Sequence, residues 1–338
     1  MKSEIFLYFV NAINTVLKNL YVLKSELKKY TVAFYNIENL FDIYDDKVTR
    51  DNDLLPTASR RWTVKRYHNK IRNLSFTIPN IGKEQTDNPP AIVGLAEVEN
   101  GAVLNDLIGS KHLEDYNYKY IHYNSPDERG IDVALLYNAD VFDVAYSRPY
   151  RLELLDERGV QDYTRDILLV SGLLDGLELH VIVNHWPSRR LGEDSSEYKR
   201  LMAASKVEEI ITELKEKDAN AKIMVMGDFN DDPFSKSITR LVESHNLYNP
   251  MDTLFDIDRG TTVHNDNWNL FDQILITPNL FERKKEALRF YKADIFDADF
   301  LKQKRGRYEG TPFRTYAGSR YIGGFSDHFP VYVTLTKK

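Results

Sequence analysis

The stretch VMGDFNDDP, residues 225–233, ends an apolar run in Asp228, Asn230 and two further aspartates. Gly, Asp, Asn and Pro are turn formers, so a turn explains it. A metal site at a strand end explains it too. Five other segments that read as strands also carry polar residues at an end. FYNIEN brings Asn36 and Glu38, GLAEVEN brings Glu97, and HVIVNHW brings His185. FDQILIT opens on Asp272, and the last strand is preceded by Ser326, Asp327 and His328. Taken singly, Glu97 or Asp272 reads as a satisfied structural carboxylate. A lone His185 or His328 is more often structural than catalytic. Every one of those readings must hold at once to remove a site. If the ends converge, oxygen ligands suit Mg²⁺, Mn²⁺ or Ca²⁺. Mg²⁺ takes one or two protein carboxylates and completes its shell with water and phosphate. The histidines are then left to hydrogen-bond a charged substrate or to move a proton. Acids for a hard metal with imidazoles beside them suggest hydrolysis at a phosphate.

Those residues need strands to position them. TVAFYN alternates, and AIVGLAEVEN is a continuous apolar run, the pattern of a strand covered on both faces. YKYIHYN and DVALLYN flank SPDERG, which predicts a long hairpin loop. RDILLVSG and LELHVIVNHW flank Leu174-Asp175-Gly176, a second hairpin. Helical spacing runs from Arg61 to Ile78 and from Leu201 to Leu214, the latter opened by a capping box at Asp194–Glu197. A short helix is expected over Ser235–Glu243. About ten strands with several helices predict sheets packed together and covered by helices. No linker divides the chain.

With 45 Lys and Arg against 51 Asp and Glu, the net charge is −6. Bulk charge therefore does not direct this chain to nucleic acid, although a local basic patch is compatible with it. The chain lacks cysteine, which excludes disulfides and thiolate-bound zinc. Its 21 tyrosines and 17 phenylalanines suit strand-rich structure. No stretch reaches the roughly 18 apolar residues of a membrane span. Ile5, Phe9, Ile13, Val16, Leu20, Leu23 and Leu27 form the stripe of an amphipathic helix. It would pack on its own domain or on a partner; a membrane-surface role is the alternative. The expected compartment is the cytoplasm, with secretion or a periplasmic location left open.

FYNIEN, GLAEVEN, VNHWPSR, MGDFNDDP, FDQILIT and FSDHFPVYVTL occur in one order. That ordered set resembles the endonuclease/exonuclease/phosphatase family of metal-dependent phosphodiesterases and phosphatases. Pancreatic-type deoxyribonuclease and apurinic endonuclease belong to it. The resemblance covers residues 31–338 as one catalytic domain and leaves 1–30 as an N-terminal helical extension. It implies an α/β fold of two mixed β-sheets packed face to face and flanked by helices, a four-layer sandwich of deoxyribonuclease I type. It also implies a divalent cation, Mg²⁺ first, with Glu97 as principal ligand, Asn36 beside it and Asp327 in support. Glu38 falls where some members have Asp and others no acid. The resemblance gives Asp228 the attacking water, and Asn230 and His328 the phosphate. Asp272 would hold the His328 ring. His185 matches a histidine of the deoxyribonuclease branch. Arg165 and Arg189 are candidate substrate contacts, each equally readable as a surface residue.

Nucleic acid is the leading substrate. A small molecule, lipid head group or inositol phosphate is the alternative, and a non-catalytic binding module is the rival of another class. Residues 302–321 interleave Lys302, Lys304, Arg305, Arg307, Arg314 and Arg320 with aromatic side chains just before Asp327, which suits phosphates and stacked bases.

Overall fold

The computed structural model describes residues 27–337 except Val48, Asp51, Glu157, Arg190, Leu191 and Asn265. The helix expected over residues 1–30 lies outside the described residues, save for its last four positions. Eleven strands build the two main sheets among the described residues. In chain order they begin with β1 (Lys28–Leu40), β2 (Ile92–Val98), β3 (Tyr118–His122) and β4 (Asp132–Asn138). Next come β5 (Phe142–Tyr150), β6 (Ile167–Leu174), β7 (Leu177–His185) and β8 (Ile223–Asp228). The last three are β9 (Asp272–Ile276), β10 (Leu288–Ile295) and β11 (Val331–Lys337). The α-helices are α1 (Val64–Thr77), α2 (Gly101–Ile108), α3 (Glu193–Lys217) and α4 (Lys236–His245).

One sheet has the order β10-β11-β1-β2-β4-β3 and the other β9-β8-β7-β6-β5. Each is mixed: β1 and β2 run parallel in the first, β7 and β8 in the second, and the remaining pairs are antiparallel. The architecture is the expected two-sheet α/β sandwich. The period of two explains how β8 serves two layers. Met224 and Met226 point into the core between the sheets, while Ile223 and Val225 meet the core under α3 and α4. Val207, Ile211 and Leu214 of α3 and Leu241 of α4 close that outer layer. Gly94 of β2 marks a close approach of the sheets, since a Cβ there would lie 2.6 Å from Met226 Sδ.

β5 and β10 were not anticipated from the sequence. Both are edge strands with one neighbour and faces that are mostly half-buried or exposed, so neither shows an apolar run. β1 starts at Lys28, before the expected boundary at residue 31. α3 starts at Glu193 behind Gly192, which puts Asp194 inside the first turn instead of at the cap. Among the described residues, no helix is long and apolar enough to cross a membrane.

Candidate active site

The second sheet sets three chemical groups in one row. Asp228 ends β8, pairing with Asp272 of β9 on one side and His185 of β7 on the other. The first sheet faces that row with Asn36 and Glu97. There the β1–β2 ladder slips, from Asn36 opposite Ala96 to Leu40 opposite Val98. The slip is built from left-handed residues: Glu38, Asn39 and Glu97 have φ of 50°, 54° and 68°. Such conformations cost on the order of 1–3 kcal/mol each and persist only where their surroundings impose them. Here they turn the Glu97 carboxylate to the rim, and Asn39 N–H holds its Oε2 at 2.8 Å.

Hydrogen bonds tie the two sheets together across the site. The Asn36 amide donates to Asp228 Oδ2 at 2.9 Å. Ser326 Oγ donates to the Asn36 carbonyl at 2.6 Å and accepts from His328 N at 3.1 Å, which fixes the segment leading into β11. His328 Nδ1 lies 2.6 Å from Asp272 Oδ2, leaving Nε2 directed to Asp228 Oδ2 at 3.9 Å and Asp327 Oδ1 at 4.0 Å. His185 Nε2 lies 3.6 Å from Asp228 Oδ2 and 3.9 Å from Glu97 Oε1.

VMGDFNDDP is a turn and part of the cluster at once. Asp228 Oδ1 accepts from Asn230 N at 2.9 Å, and Asn230 takes φ 50°. The backbone is therefore not extended through Asn230, as a simple two-residue alternation requires. The Asn230 amide instead donates to the Trp186 carbonyl at 3.0 Å. Arg165 donates to that same carbonyl at 2.9 Å and pairs with Asp127. Arg189 donates from Nε to the Asn230 carbonyl at 2.8 Å and from Nη2 to Asp231 at 2.8 Å. Arg189 thus braces the Asn230 turn, while Arg165 shares the Trp186 carbonyl with the Asn230 amide.

Burial and crowding set the charges. Burial pushes the Asp228 carboxyl up to about 6; His328 pulls it back, and Asp272 adds to the rise. Burial opposes protonation of His328, yet the Asp272 and Asp228 carboxylates hold it well above an ordinary histidine. Burial and the Asp327 charge raise Glu38 to about 7 against the pull of Lys70. Glu38 Oε2 is already engaged, accepting from Thr315 N at 2.6 Å with Lys70 Nζ at 3.8 Å.

The groups that could hold a cation follow from this. Glu97, Asn36 and Asp327 offer oxygen atoms alone, a donor set fit for a hard ion. Glu97 Oε1 faces the rim, with Arg129 at 3.7 Å as well as His185 near it. Asp228, Asp272 and His328 offer ligand atoms within 4.8 Å of one another. His328 Nδ1 is already joined to Asp272 at 2.6 Å, so this trio suits proton and phosphate chemistry better.

Sequence reasoning missed Arg129, Lys70 and Thr315. Arg129 lies in the SPDERG segment, read from the sequence as a long hairpin loop. Lys70 gave no signal, because a lysine on an amphipathic helix is almost always solvated. Here it is fully buried, donating to Thr315 Oγ1 at 2.7 Å and the Phe325 carbonyl at 2.6 Å.

The chain belongs to the endonuclease/exonuclease/phosphatase family, whose model matches residues 31–337. Members of this family are phosphoesterase hydrolases that generally depend on divalent cations. Among solved structures, an endonuclease/exonuclease/phosphatase family protein from Bacteroides thetaiotaomicron is 18% identical with a TM-score of 0.57, over 92% of this chain and 99% of that one. The mannosyl-6-phosphatase Bt3783 of the same organism is 18% identical with a TM-score of 0.55, over 90% and 99%. D. rerio TDP2 complexed with single strand DNA product is 13% identical with a TM-score of 0.54, over 91% and 99%. No curated protein matches the chain.

Proposed function

We propose that this protein is a divalent-cation-dependent phosphodiesterase acting on nucleic acid. The observation that carries the reading is the convergence of Asn36, Glu97, His185, Asp228 and Asp272 with His328 at one rim. Glu97, with Asn36 and Asp327, would hold Mg²⁺; Mn²⁺ or Ca²⁺ fit the same oxygen set. Glu38 is the weaker ligand, because Thr315 and Lys70 already take its carboxylate. When bound, the cation supplies positive charge to a phosphate oxygen.

The other roles belong to the chain's own groups. Asp228, oriented by Asn36 and the Asn230 N–H, accepts the proton of the attacking water. His328, kept protonated by Asp272, donates from Nε2 to a phosphate oxygen as charge grows there. His185 and Asn230 stand beside the same oxygens, and Arg189 holds Asn230 in place. All these groups are set before substrate arrives, so their pull can increase towards the transition state.

The DNA-product complex of the TDP2 relative supports a nucleic-acid substrate, with the basic 302–321 segment. The sugar-phosphatase relative and the net charge of −6 favour a small phosphate ester as the second reading. Hydrolysis of bis-p-nitrophenyl phosphate beside the monoester, with EDTA and then added Mg²⁺ or Mn²⁺, tests the reaction. Metal-restored cleavage of the diester is expected. Cleavage of the monoester alone moves the protein to the phosphatase reading, and cleavage of neither leaves a binding module. Single- and double-stranded DNA, RNA and phosphoinositides then rank the substrates.

A further inference from the structure

Beside the rim, the segment between Leu301 and Ser326 folds against the antiparallel ribbon Thr262–His264/Asn267–Asn269 and encloses a cavity of about 740 Å³. Four arginines line it against one carboxylate: Arg305, Arg307, Arg314 and Arg320 face Asp266. Arg307 takes that carboxylate and lies over the Tyr308 ring. Arg305, Arg314 and Arg320 have no carboxylate partner among the described residues. In a chain of net charge −6, this surplus of cations at one cavity calls for an anion.

The frame that carries them is ordered. Gln303 N donates to the Thr311 carbonyl at 2.8 Å, Gly310 N to the Gln303 carbonyl at 2.9 Å, and Phe313 N to the Leu301 carbonyl at 2.7 Å. Asn73 of α1 donates to the Gly324 carbonyl at 2.8 Å, and Lys70 to that of Phe325. The arginines therefore lose less freedom on binding than a floppy loop would.

Both walls lead into the rim. Arg314 precedes Thr315, whose N–H holds Glu38. On the facing ribbon, Thr262 donates from Oγ1 to the Asp327 carbonyl at 2.9 Å and bridges His328. His264, two positions on, lines the cavity. Two strand residues span roughly 7 Å, so the cavity wall at His264 begins about that far along the ribbon from the residue paired with His328.

We infer that this cavity is a phosphate subsite that selects substrates carrying a second phosphate beside the scissile one. The inference rests on the phosphoesterase reading and narrows its substrate class. Arginine forks suit the work, because they meet phosphate oxygens with paired, charge-assisted hydrogen bonds.

Two measurements test it. The first is calorimetric titration of the full chain with pyrophosphate in EDTA. Without metal, the carboxylates of the rim repel an anion, and the arginine variant separates binding by the arginines from binding at His328. The Arg305→Gln/Arg314→Gln/Arg320→Gln variant should bind at least about tenfold more weakly. The matching triple Lys variant should keep part of the affinity, and its melting temperature controls for folding. Unchanged affinity in the Gln variant, or no binding by wild type, overturns the subsite.

The second compares turnover, with Mg²⁺, of the p-nitrophenyl ester of thymidine 5′-phosphate with its 3′-phosphorylated counterpart. Wild type should prefer the second by about tenfold in kcat/KM, and the Gln variant should lose that preference while cleaving the simpler ester normally. Cleavage of both esters without preference overturns the subsite and leaves the phosphodiesterase reading standing. Arginine-dependent pyrophosphate binding with no cleavage of either ester does the reverse. A DNA oligonucleotide and a sugar bisphosphate, offered as competitors, identify the source of the second phosphate. Arginine-dependent inhibition by either supports the subsite, and inhibition by neither overturns it.

Discussion

At one end of β7, His185 faces Glu97 and Asp228; just beyond its other end, Asp175 faces Lys28 and Lys337. The strand has nine residues, so these ends stand roughly 30 Å apart. The same residue type behaves in opposite ways at the two places. Burial lifts Asp228 to about 6. Burial acts upward on Asp175 too, but Lys337, Tyr30 and Lys28 hold it down to about 2. Backbone geometry repeats the contrast. Asp175 and Gly176 take φ of 48° and 79°, as the tight hairpin between β6 and β7 demands. Glu97 takes φ 68° inside a β-ladder, where nothing local demands it. The hairpin end locks the first and last strands of one sheet to a turn of the other. The rim end concentrates carboxylates and left-handed backbone. On the proposed function, one sandwich holds a stabilising end and a reactive end, and substitutions should separate them.

The largest effect is expected from Asp228→Asn. The shape and the Asn36 contact survive, while the proton acceptor is lost. Turnover should fall roughly 100- to 10,000-fold. Thermal stability should hold or rise, because one of several crowded carboxylates is gone. A melting curve beside a steady-state assay reads both. Near-normal turnover removes Asp228 from the reaction, and a collapse in stability breaks the contrast between the two ends.

The next effect is structural and lies at the rim. Lys70→Met leaves Glu38 buried without its cation, which should cost about 3 kcal/mol or more in chemical denaturation. Adding Glu38→Gln should restore most of that, because an amide needs no counter-charge. If the double variant is as unstable as the single one, Lys70 serves packing and the Phe325 carbonyl, not Glu38.

These residues also mark where the sequence was legible. While the two-sheet sandwich came from the family resemblance, packed sheets under helices could be read because buried strands are apolar and their ends are not. Asp228, Asp272 and His185 were visible for the same reason, since one register row brings three strand ends together. The DG turn at Asp175 was visible because few residues tolerate positive φ. What stayed hidden depends on partners distant in the chain. Lys70 reaches Thr315 across 245 positions, and Thr315 reaches Glu38 across 277. The turn of the Asn230 amide to the Trp186 carbonyl stayed hidden because a sequence does not reveal that Asp228 Oδ1 will cap the Asn230 N–H. The edge strands β5 and β10 hid because one-sided pairing needs no apolar run.

The smallest effect belongs to the quiet end. Asn suits the left-handed turn position as well as Asp does, so Asp175→Asn removes the charge and keeps the hairpin. The pair with Lys28 is largely exposed, and the loss should be at most about 1 kcal/mol. Its pH dependence is the sharper readout. An aspartate whose pKa is depressed in the folded state stabilises the fold above the unfolded value near 4. That contribution fades as pH falls towards 2, the folded value. Wild type and variant should therefore differ most at neutral pH and converge through the range between about 4 and 2. Turnover at neutral pH should be unchanged, since the substitution lies a full strand length from His185. A variant that loses activity while keeping its melting temperature would couple the two ends and undo the division between them.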